Sequence, residues 1–317
     1  PESIRPGPAG WVYAALFAAL FLFLFLPPPP GLSVQGYRTL LVCATAVVLW
    51  TREILPPGLT GGLVILLLIL TGASSSVNEA LVGFSQPVIY FLIGVFTIAI
   101  AVERVGLAER IGRYFLRCSG GKSRSLFWFM VLSFPPMALI MPSSNSRSII
   151  LAEVFDRTFS LAGVEKGAPL ARAIMMALHS LNRLASSALL TGGMTSIVAA
   201  NLIGGLGWTR WFLLLGVPYY LTLCIGSLGL HLKYLRGGDR RLTLPPQDKK
   251  PLNGGEIRTS LIILMASLLW LSDAVHGLHP AVPAMMAWTL LLLPGIGVLK
   301  WGDFESRFSW ATFFLLG

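Results

Sequence analysis

Charged residues are scarce in this sequence. Only 12% of its 317 residues are Asp, Glu, Lys or Arg, whereas 55% are hydrophobic. Soluble domains carry about 25% charged residues, so the composition excludes an ordinary soluble protein. In such a protein a net charge of +10 would suggest nucleic-acid binding. Here the positive residues concentrate in two loops between apolar segments, so no nucleic-acid partner is expected.

Cysteine and histidine are also few, with three and four residues respectively. The sequence has no CxxC pair and no Cys/His spacing of the kind that binds a metal. A serine hydrolase within the membrane would need a base and an orienting carboxylate for its nucleophile, Ser144 or Ser146. His179 is the histidine expected near membrane depth, and no Asp accompanies it. The sequence therefore argues against an enzyme.

Long apolar runs dominate the chain instead. Several approach the roughly 20 residues that a helix needs to cross a bilayer. The alternating segments of about ten residues that build a membrane β-barrel are absent. We therefore predict an all-α polytopic membrane protein surrounded by membrane lipid. Its predicted spans are 11–26, 39–50, 57–71, 88–102, 172–203, 211–230, 257–272 and 281–299.

Two basic segments set the predicted topology. Six Lys and Arg residues lie in 103–124 and seven in 233–258, whereas 72–88 and 273–280 contain none. An excess of Lys and Arg marks cytoplasmic loops, so both basic segments should face the cytoplasm. The expected location is the inner (plasma) membrane of a bacterium.

The chain contains an internal repeat. A shift of 223 positions aligns "PGLTGGLVILLLILTG" (57–72) with "PAVPAMMAWTLLLLPG" (280–295), and "FLIG" (91–94) with "FLLG" (314–317). On the predicted topology the two copies run in opposite directions, which is the inverted repeat of secondary transporters. The alternative is chance similarity between Leu-rich helices. The same shift carries 144–147 beyond the last residue, so we expect a truncated form of a protein of roughly 430 residues or more.

The most polar cluster, "MPSSNSRSIILAEVFDR" (141–157), lies between two apolar arms at 126–141 and 148–162. Both ends of this segment should be cytoplasmic, and each arm is short for a full crossing. We therefore predict a re-entrant helical hairpin with Pro142–Ser146 at its tip. Free N–H groups at the start of the second arm, with the charge of Arg147, would attract an anion.

A structural alternative for this cluster is a plain helix cap. In that case Arg147 would pair with Glu153 or extend to the membrane surface, because a buried charge needs a partner. We expect the Arg147–Glu153 pair, with a proton site at Glu153 as the other possibility.

These motifs resemble those of the divalent anion/sodium symporter (DASS) family. "SSNSR" (143–147), after "PVIYFLIGVFTIAIAVERVGLAERI" (87–111), is similar to the first Ser-Asn-Thr motif of the family, and "TREILPPGLTGGLVILLLILTG" (51–72) to the segment before it. "LLTGGMTSIVAANLIGG" (189–205) resembles its Gly-Gly-x-x-Thr motif, although small residues also serve close helix packing. The resemblance covers about 40–317, the first repeat and the start of the second.

The resemblance implies roles for individual residues. It assigns substrate binding to Ser144, Asn145, Ser146, Arg147 and Thr195, and sodium binding to Ser144, Asn145, Gly192 and Gly193. Ser146 stands where the family more often has Thr, and Arg147 follows directly, so the identity of the anion stays open. His179 and Arg183 would line the inner entrance or anchor the chain at the interface.

The resemblance also implies a function: sodium-coupled secondary transport of divalent oxyanions, such as dicarboxylates or sulfate. A hairpin-bearing domain would move like an elevator against a scaffold of the first three spans and their repeat mates, in a homodimer. Proton coupling, substrate exchange, efflux of an arsenite-type oxyanion and a purely structural subunit remain open. The predicted divisions are 1–38 (first span and outer loop), 39–124 (scaffold spans and basic loop), 125–203 (hairpin and broken helix), 204–232 (sixth span), 233–256 (cytoplasmic linker) and 257–317 (start of the second repeat).

Overall fold

The computed structural model describes residues 9–53, 55–141, 143–204, 206–238, 241–242 and 251–316. This part of the chain is helical and contains no β-strand. In chain order its α-helices are α1 (Ala9–Leu24), α2 (Val34–Thr51), α3 (Pro57–Leu70), α4 (Val77–Ala80), α5 (Pro87–Val105), α6 (Leu107–Cys118), α7 (Ser123–Ile140), α8 (Ser144–Leu161), α9 (Pro169–Met176), α10 (Asn182–Ser187), α11 (Met194–Leu202), α12 (Trp208–Trp211), α13 (Val217–Tyr234), α14 (Gly254–Leu271), α15 (Asp273–His276), α16 (Ala281–Leu292), α17 (Trp301–Arg307) and α18 (Trp310–Leu316).

The prediction of an all-α polytopic membrane protein is confirmed. Among the described residues, five helices are long and apolar enough to cross a membrane: α2, α5, α7, α14 and the continuous helix Trp208–Tyr234. Shorter apolar helices occupy the other predicted spans near Ala15–Leu24, Pro57–Leu70 and Ala281–Leu292. The expectation for 172–203 as a broken span also fits, because several short helices replace one continuous helix there.

The lengths of the hairpin arms differ from the prediction. The second arm is α8, but the first arm, α7, has 18 residues and is long enough to cross a membrane. It begins three positions earlier than expected, at Ser123, and continues through Pro135 and Pro136 without a break. The argument that both arms are too short to cross the membrane is therefore wrong. The prediction of a hairpin now rests on the interruption of the helix between α7 and α8.

The described residues form two compact units, one within 9–89 and 309–316 and the other within 90–308. In the first unit, α3 packs closely against α18. A Cβ atom on Gly61 would lie 2.3 Å from the carbonyl oxygen of Phe314, so the backbones approach too closely for a larger residue. Phe84 adds an aromatic contact with Phe313, their ring centroids 5.1 Å apart.

The second unit contains the hairpin and the broken span. Helix α6 packs against both α7 and α8, where a Cβ atom on Gly112 would lie 2.9 Å from the Leu151 side chain. Large apolar side chains fill this core, among them the fully buried Phe127, Phe134 and Phe155. Because lipid is as apolar as these side chains, their contacts stabilise the unit through close van der Waals packing.

The element order agrees with the repeat. Helix α5 begins at Pro87 and α18 at Trp310, which are equivalent positions under the 223-residue shift. The α3–α18 contact also has a counterpart in the second unit, because a Cβ atom on Gly94 of α5 would lie 2.3 Å from the carbonyl oxygen of Ala284 of α16. The opposite orientation of the two copies stays a prediction, and Gly317 lies outside the described residues.

The two basic segments meet in the structure. Lys122 and Arg241 form an isolated antiparallel bridge, and the Leu242 N–H donates to the Gly121 carbonyl at 2.8 Å. Arg124 Nε donates to the Leu235 carbonyl at 3.2 Å. Segments in contact lie on the same side of a membrane, so these contacts agree with the predicted common face.

Candidate functional site

The polar cluster interrupts the helical chain where the sequence predicts the hairpin tip. Helix α7 ends at Ile140, Met141 is extended, and α8 begins at Ser144. Ser143 caps α8, because its Oγ accepts from the Ser146 N–H at 3.3 Å and donates to Ser146 Oγ at 3.1 Å. A helix cap is the structural alternative predicted for this cluster, and Ser143 is that cap. Pro142, expected to stop the first arm, lies outside the described residues.

Arg147 points into the protein and is 0% exposed. It occupies the buried stripe of α8 that continues through Leu151, Phe155 and Thr158. This spacing of three to four residues follows one helix face. The side chain of Arg147 therefore approaches the core beneath the tip, and neither membrane surface nor solvent surrounds it.

Arg147 has neutral partners throughout the described residues. Its Nε donates to Asn182 Oδ1 at 3.1 Å, while its terminal nitrogens donate to Ser186 Oγ and the Met141 carbonyl. The expected pair with Glu153 is wrong, because that residue is exposed and makes no ion pair in this part of the chain. Residues six positions apart face different sides of a helix, so the pair was geometrically unfavourable.

Asn182 connects the hairpin to the broken span. Its Nδ2 donates to the Ser144 carbonyl at 2.9 Å and to Ser148 Oγ at 2.8 Å, while its Oδ1 accepts from Arg147. Asn182 follows a π-helical turn, Ala177–Leu181, between α9 and α10. Such turns recur at functional sites because they change the direction of the following side chains. The spacing of apolar residues gave no sign of this turn.

The chain leaves α-helical geometry between α10 and α11. Residues Leu190–Gly192 form a short 3₁₀ turn, and Gly193 is extended with φ −167°. A Cβ atom on Gly192 would lie 2.1 Å from the Ser186 carbonyl oxygen, so glycine is required there by backbone contact. At Gly193 the nearest atoms to an added Cβ are 3.9 Å and 4.0 Å away.

Two tryptophan side chains donate hydrogen bonds to residues at this break. Trp208 Nε1 donates to Thr191 Oγ1 at 3.2 Å, and Trp211 Nε1 donates to the Ser187 carbonyl at 3.2 Å. Both tryptophans and Thr191 are buried. Trp211 supplies a donor to a backbone carbonyl near the end of α10, where a helix leaves carbonyls without intrahelical partners, and Trp208 bonds a side-chain hydroxyl in the break. The sequence motifs give no indication of either contact, since both tryptophans come from the following helix.

The predicted site residues divide into buried and accessible sets. Asn145 and Thr195 are exposed, Ser144 and Ser146 are half-buried, and Arg147 and Gly192 are buried. Contacts join Arg147 to Ser186, and Ser186 to Gly192, so the first motif is connected to the second. In the described part, no hydrogen bond engages the side chains of Asn145 or Thr195. His179 and Arg183 are exposed.

The donor atoms suit a hard monovalent cation. No group of three or more His, Cys, Asp or Glu residues that could hold a metal ion occurs within the described ranges. Neutral oxygens are present instead in the Ser144 hydroxyl, the Asn145 amide and the Gly192 and Gly193 carbonyls, and the Gly193 carbonyl already accepts from the Ser196 N–H at 3.2 Å. Broken helices present such oxygens to sodium in transporters. The Ser144 carbonyl already accepts from Asn182, which leaves its hydroxyl as the accessible oxygen.

Comparison with known proteins identifies similar chains. The family description "Sodium:sulfate symporter transmembrane region" matches residues 9–317. A "Membrane protein" of Cupriavidus necator is 23% identical, covering 100% of this chain and 67% of the relative. Dicarboxylate transporter 2 of Spinacia oleracea chloroplasts is 24% identical, covering 92% and 55%. The L-tartrate/succinate antiporter of Escherichia coli is 24% identical, covering 99% and 66%. The chain thus spans between about half and two thirds of the length of these relatives.

Proposed function

Because the chain belongs to the sodium:sulfate symporter family, we propose that it carries divalent oxyanions across a membrane by secondary active transport. This family is the divalent anion/sodium symporter family that the motifs indicate. Its members are transporters and not enzymes, and the chain is a multi-pass integral membrane protein, as the sequence predicts. The bacterial relatives agree with a location in the inner membrane.

The observation that carries the proposal is the start of α8. Exposed Asn145 lies in the first turn, where backbone N–H groups and the helix dipole favour an anion. Two residues further along α8, the charge of Arg147 is buried among neutral partners. A positive charge in a low-dielectric interior acts over a longer distance than one in water. Arg147 would therefore attract the anion through the field beneath the tip, while Ser144, Asn145, Ser146 and Thr195 contact it.

Sodium coupling rests on the oxygen donors and on the name of the family. Ser144, Asn145, Gly192 and Gly193 would hold the ion, and its charge would offset that of the anion. Substrate exchange is a second candidate, because one relative is described as an L-tartrate/succinate antiporter. Both mechanisms would use the same site with different driving gradients.

The two compact units suit an elevator mechanism. The hairpin and the broken span belong to residues 90–308, whereas the first three predicted spans belong to the other unit. Helix α16, the predicted repeat mate of α3, falls in the hairpin unit, so the division matches only part of the proposed scaffold. The elevator movement and the homodimer remain proposals from the family resemblance.

The test is uptake of labelled succinate by proteoliposomes that contain the full-length protein. Imposed sodium, pH and counter-substrate gradients are compared, with citrate, sulfate and arsenite as competitors. We expect a sodium gradient to drive succinate uptake. Uptake driven only by internal dicarboxylate would establish exchange, uptake driven by pH would establish proton coupling, and recognition of arsenite alone would overturn the divalent-anion assignment.

A further inference from the structure

The buried contacts beneath the tip form one connected network. Arg147 and Asn182 are 0% exposed and Ser186 is 4% exposed. Arg147 donates to both of the other side chains, and Ser186 Oγ donates to the Asn182 carbonyl at 3.2 Å. A buried hydrogen-bonded network of this kind rigidifies the elements that it joins, because an unmade bond there is costly.

Asn182 uses both ends of its amide in this network. Its oxygen accepts from Arg147, and its nitrogen donates to the Ser144 carbonyl and to Ser148 Oγ. Ser148 Oγ in turn donates to the Leu178 carbonyl at 2.8 Å, within the π-helical turn. The start of α8 is therefore attached to the broken span at several points, and the Asn182 side chain makes three of these hydrogen bonds.

The network also reaches the second motif. The Ser186 carbonyl lies so close to Gly192 that a Cβ atom there would be 2.1 Å from it. The backbones of Ser186 and Gly192 are therefore in direct contact, and we expect a displacement of Ser186 to disturb Gly192. The first turn of α8 and the Gly192–Gly193 segment are thus held in register by Arg147, Asn182 and Ser186.

We infer that Asn182 is the positioning residue of the transport site, which aligns the anion-binding start of α8 with the sodium-binding carbonyls of the helix break. The inference rests on the proposed function, but Asn182 itself touches neither substrate nor ion. It predicts that the affinities for anion and sodium depend together on Asn182. It also predicts that Asn182 protects the backbone amides of both motifs from hydrogen exchange, so that both lose protection when it is replaced.

The experiment compares Asn182→Ala and Ser186→Ala in the full-length protein with the matched controls Asn78→Ala and Ser180→Ala. Asn78 and Ser180 are exposed, and the Ser180 hydroxyl bonds only within its own helix, to the Met176 carbonyl. Succinate uptake gives KM, the sodium half-saturation concentration and the maximal rate per folded transporter. Amide hydrogen exchange over 143–150 and 188–195 provides a readout that needs no transport.

We expect Asn182→Ala to raise both KM and the sodium half-saturation concentration at least tenfold, with the maximal rate changed less than threefold. Exchange should accelerate in both peptides, and Ser186→Ala should give a smaller change of the same pattern. A loss of folded protein with unchanged KM, or faster exchange in one peptide alone, would overturn the inference. If Asn182→Ala does not fold, Asn182→Ser and Ser186→Ala decide by the same criteria.

The outcome separates this inference from the proposed function. A wild-type protein that transports no tested anion, but whose two peptides lose protection together in Asn182→Ala, would refute the transport proposal and retain the structural connection. A wild-type protein that transports succinate, with KM and exchange unchanged in the variants, would refute the role of Asn182 alone.

Discussion

Arg110 Nε donates to Glu256 Oε1 at 2.6 Å, joining α6 to the first turn of α14. The Glu256 side chain is 4% exposed and that of Arg110 is 33% exposed. Glu256 also accepts from the Asn253 N–H at 2.7 Å, completing a capping box with Asn253. One carboxylate thus begins α14 and attaches the predicted cytoplasmic linker to the first basic segment.

Glu256→Ala should lower the free energy of unfolding by about 1–3 kcal/mol, because it removes a buried ion pair and a helix cap together. Glu109→Ala is the matched control, since its pair with Arg113 spans 3.5 Å with side chains 47% and 50% exposed. An exposed pair contributes about 0–1 kcal/mol. Thermal unfolding in detergent measures the stability of both variants. Equal losses would contradict the structural role given to Glu256.

Gly192→Ala should destabilise the protein strongly, because the new Cβ would meet the Ser186 backbone at 2.1–2.9 Å. Overpacking of this kind costs about 1–3 kcal/mol or more. Gly193→Ala provides the comparison, since its nearest contacts are 3.9 Å and 4.0 Å and its φ is −167°. Melting temperatures of the two variants test this; a Gly193→Ala variant as unstable as Gly192→Ala would show that the break is packed differently.

Asn145→Ala should reduce sodium-dependent uptake at least tenfold while leaving the amount of folded protein unchanged. The side chain is exposed and has no hydrogen-bond partner among the described groups, so its loss costs little stability. Uptake and size-exclusion profiles are measured together, with Asn78→Ala as the control. Unchanged uptake would favour the plain helix cap over a binding site at the tip.

Acid should weaken the contact between α17 and α5. The Lys300 backbone N–H, with help from the Arg104 guanidinium, holds the pKa of Asp303 below its ordinary value. The unfolded value is about 3.9. The stabilisation by Asp303 is therefore complete above that pH and is lost as the pH falls through the lower folded pKa.

Asp303→Asn should accordingly lower the melting temperature at pH 6, and the difference from wild type should shrink toward pH 3. Asp156→Asn, at an exposed position of α8, should show no such trend. Thermal unfolding at pH 6, 4 and 3 measures the differences. A gap between wild type and Asp303→Asn that widens in acid would reverse the predicted sign.

The sequence predicted the interruptions of the helices better than their contacts. Ser, Asn and Pro at 142–146 and paired glycines at 192–193 oppose continuous helix, so both breaks could be located from local chemistry. The direction of Arg147 was also available, from its spacing to Leu151 and Phe155. Asn182 could not be identified in this way, because its contacts with α8 join residues 34 or more positions apart and depend on a π-helical turn.

The indole donors at the helix break affect the energetic cost of ligand binding there. Trp211 donates to the Ser187 carbonyl, and Trp208 donates to the Thr191 hydroxyl. The protein itself therefore supplies hydrogen-bond donors at the helix break. In the proposed transport cycle, an arriving ion or anion therefore need not melt a helical turn to create the break. Its binding energy would then be available for the proposed movement of the unit that contains the site.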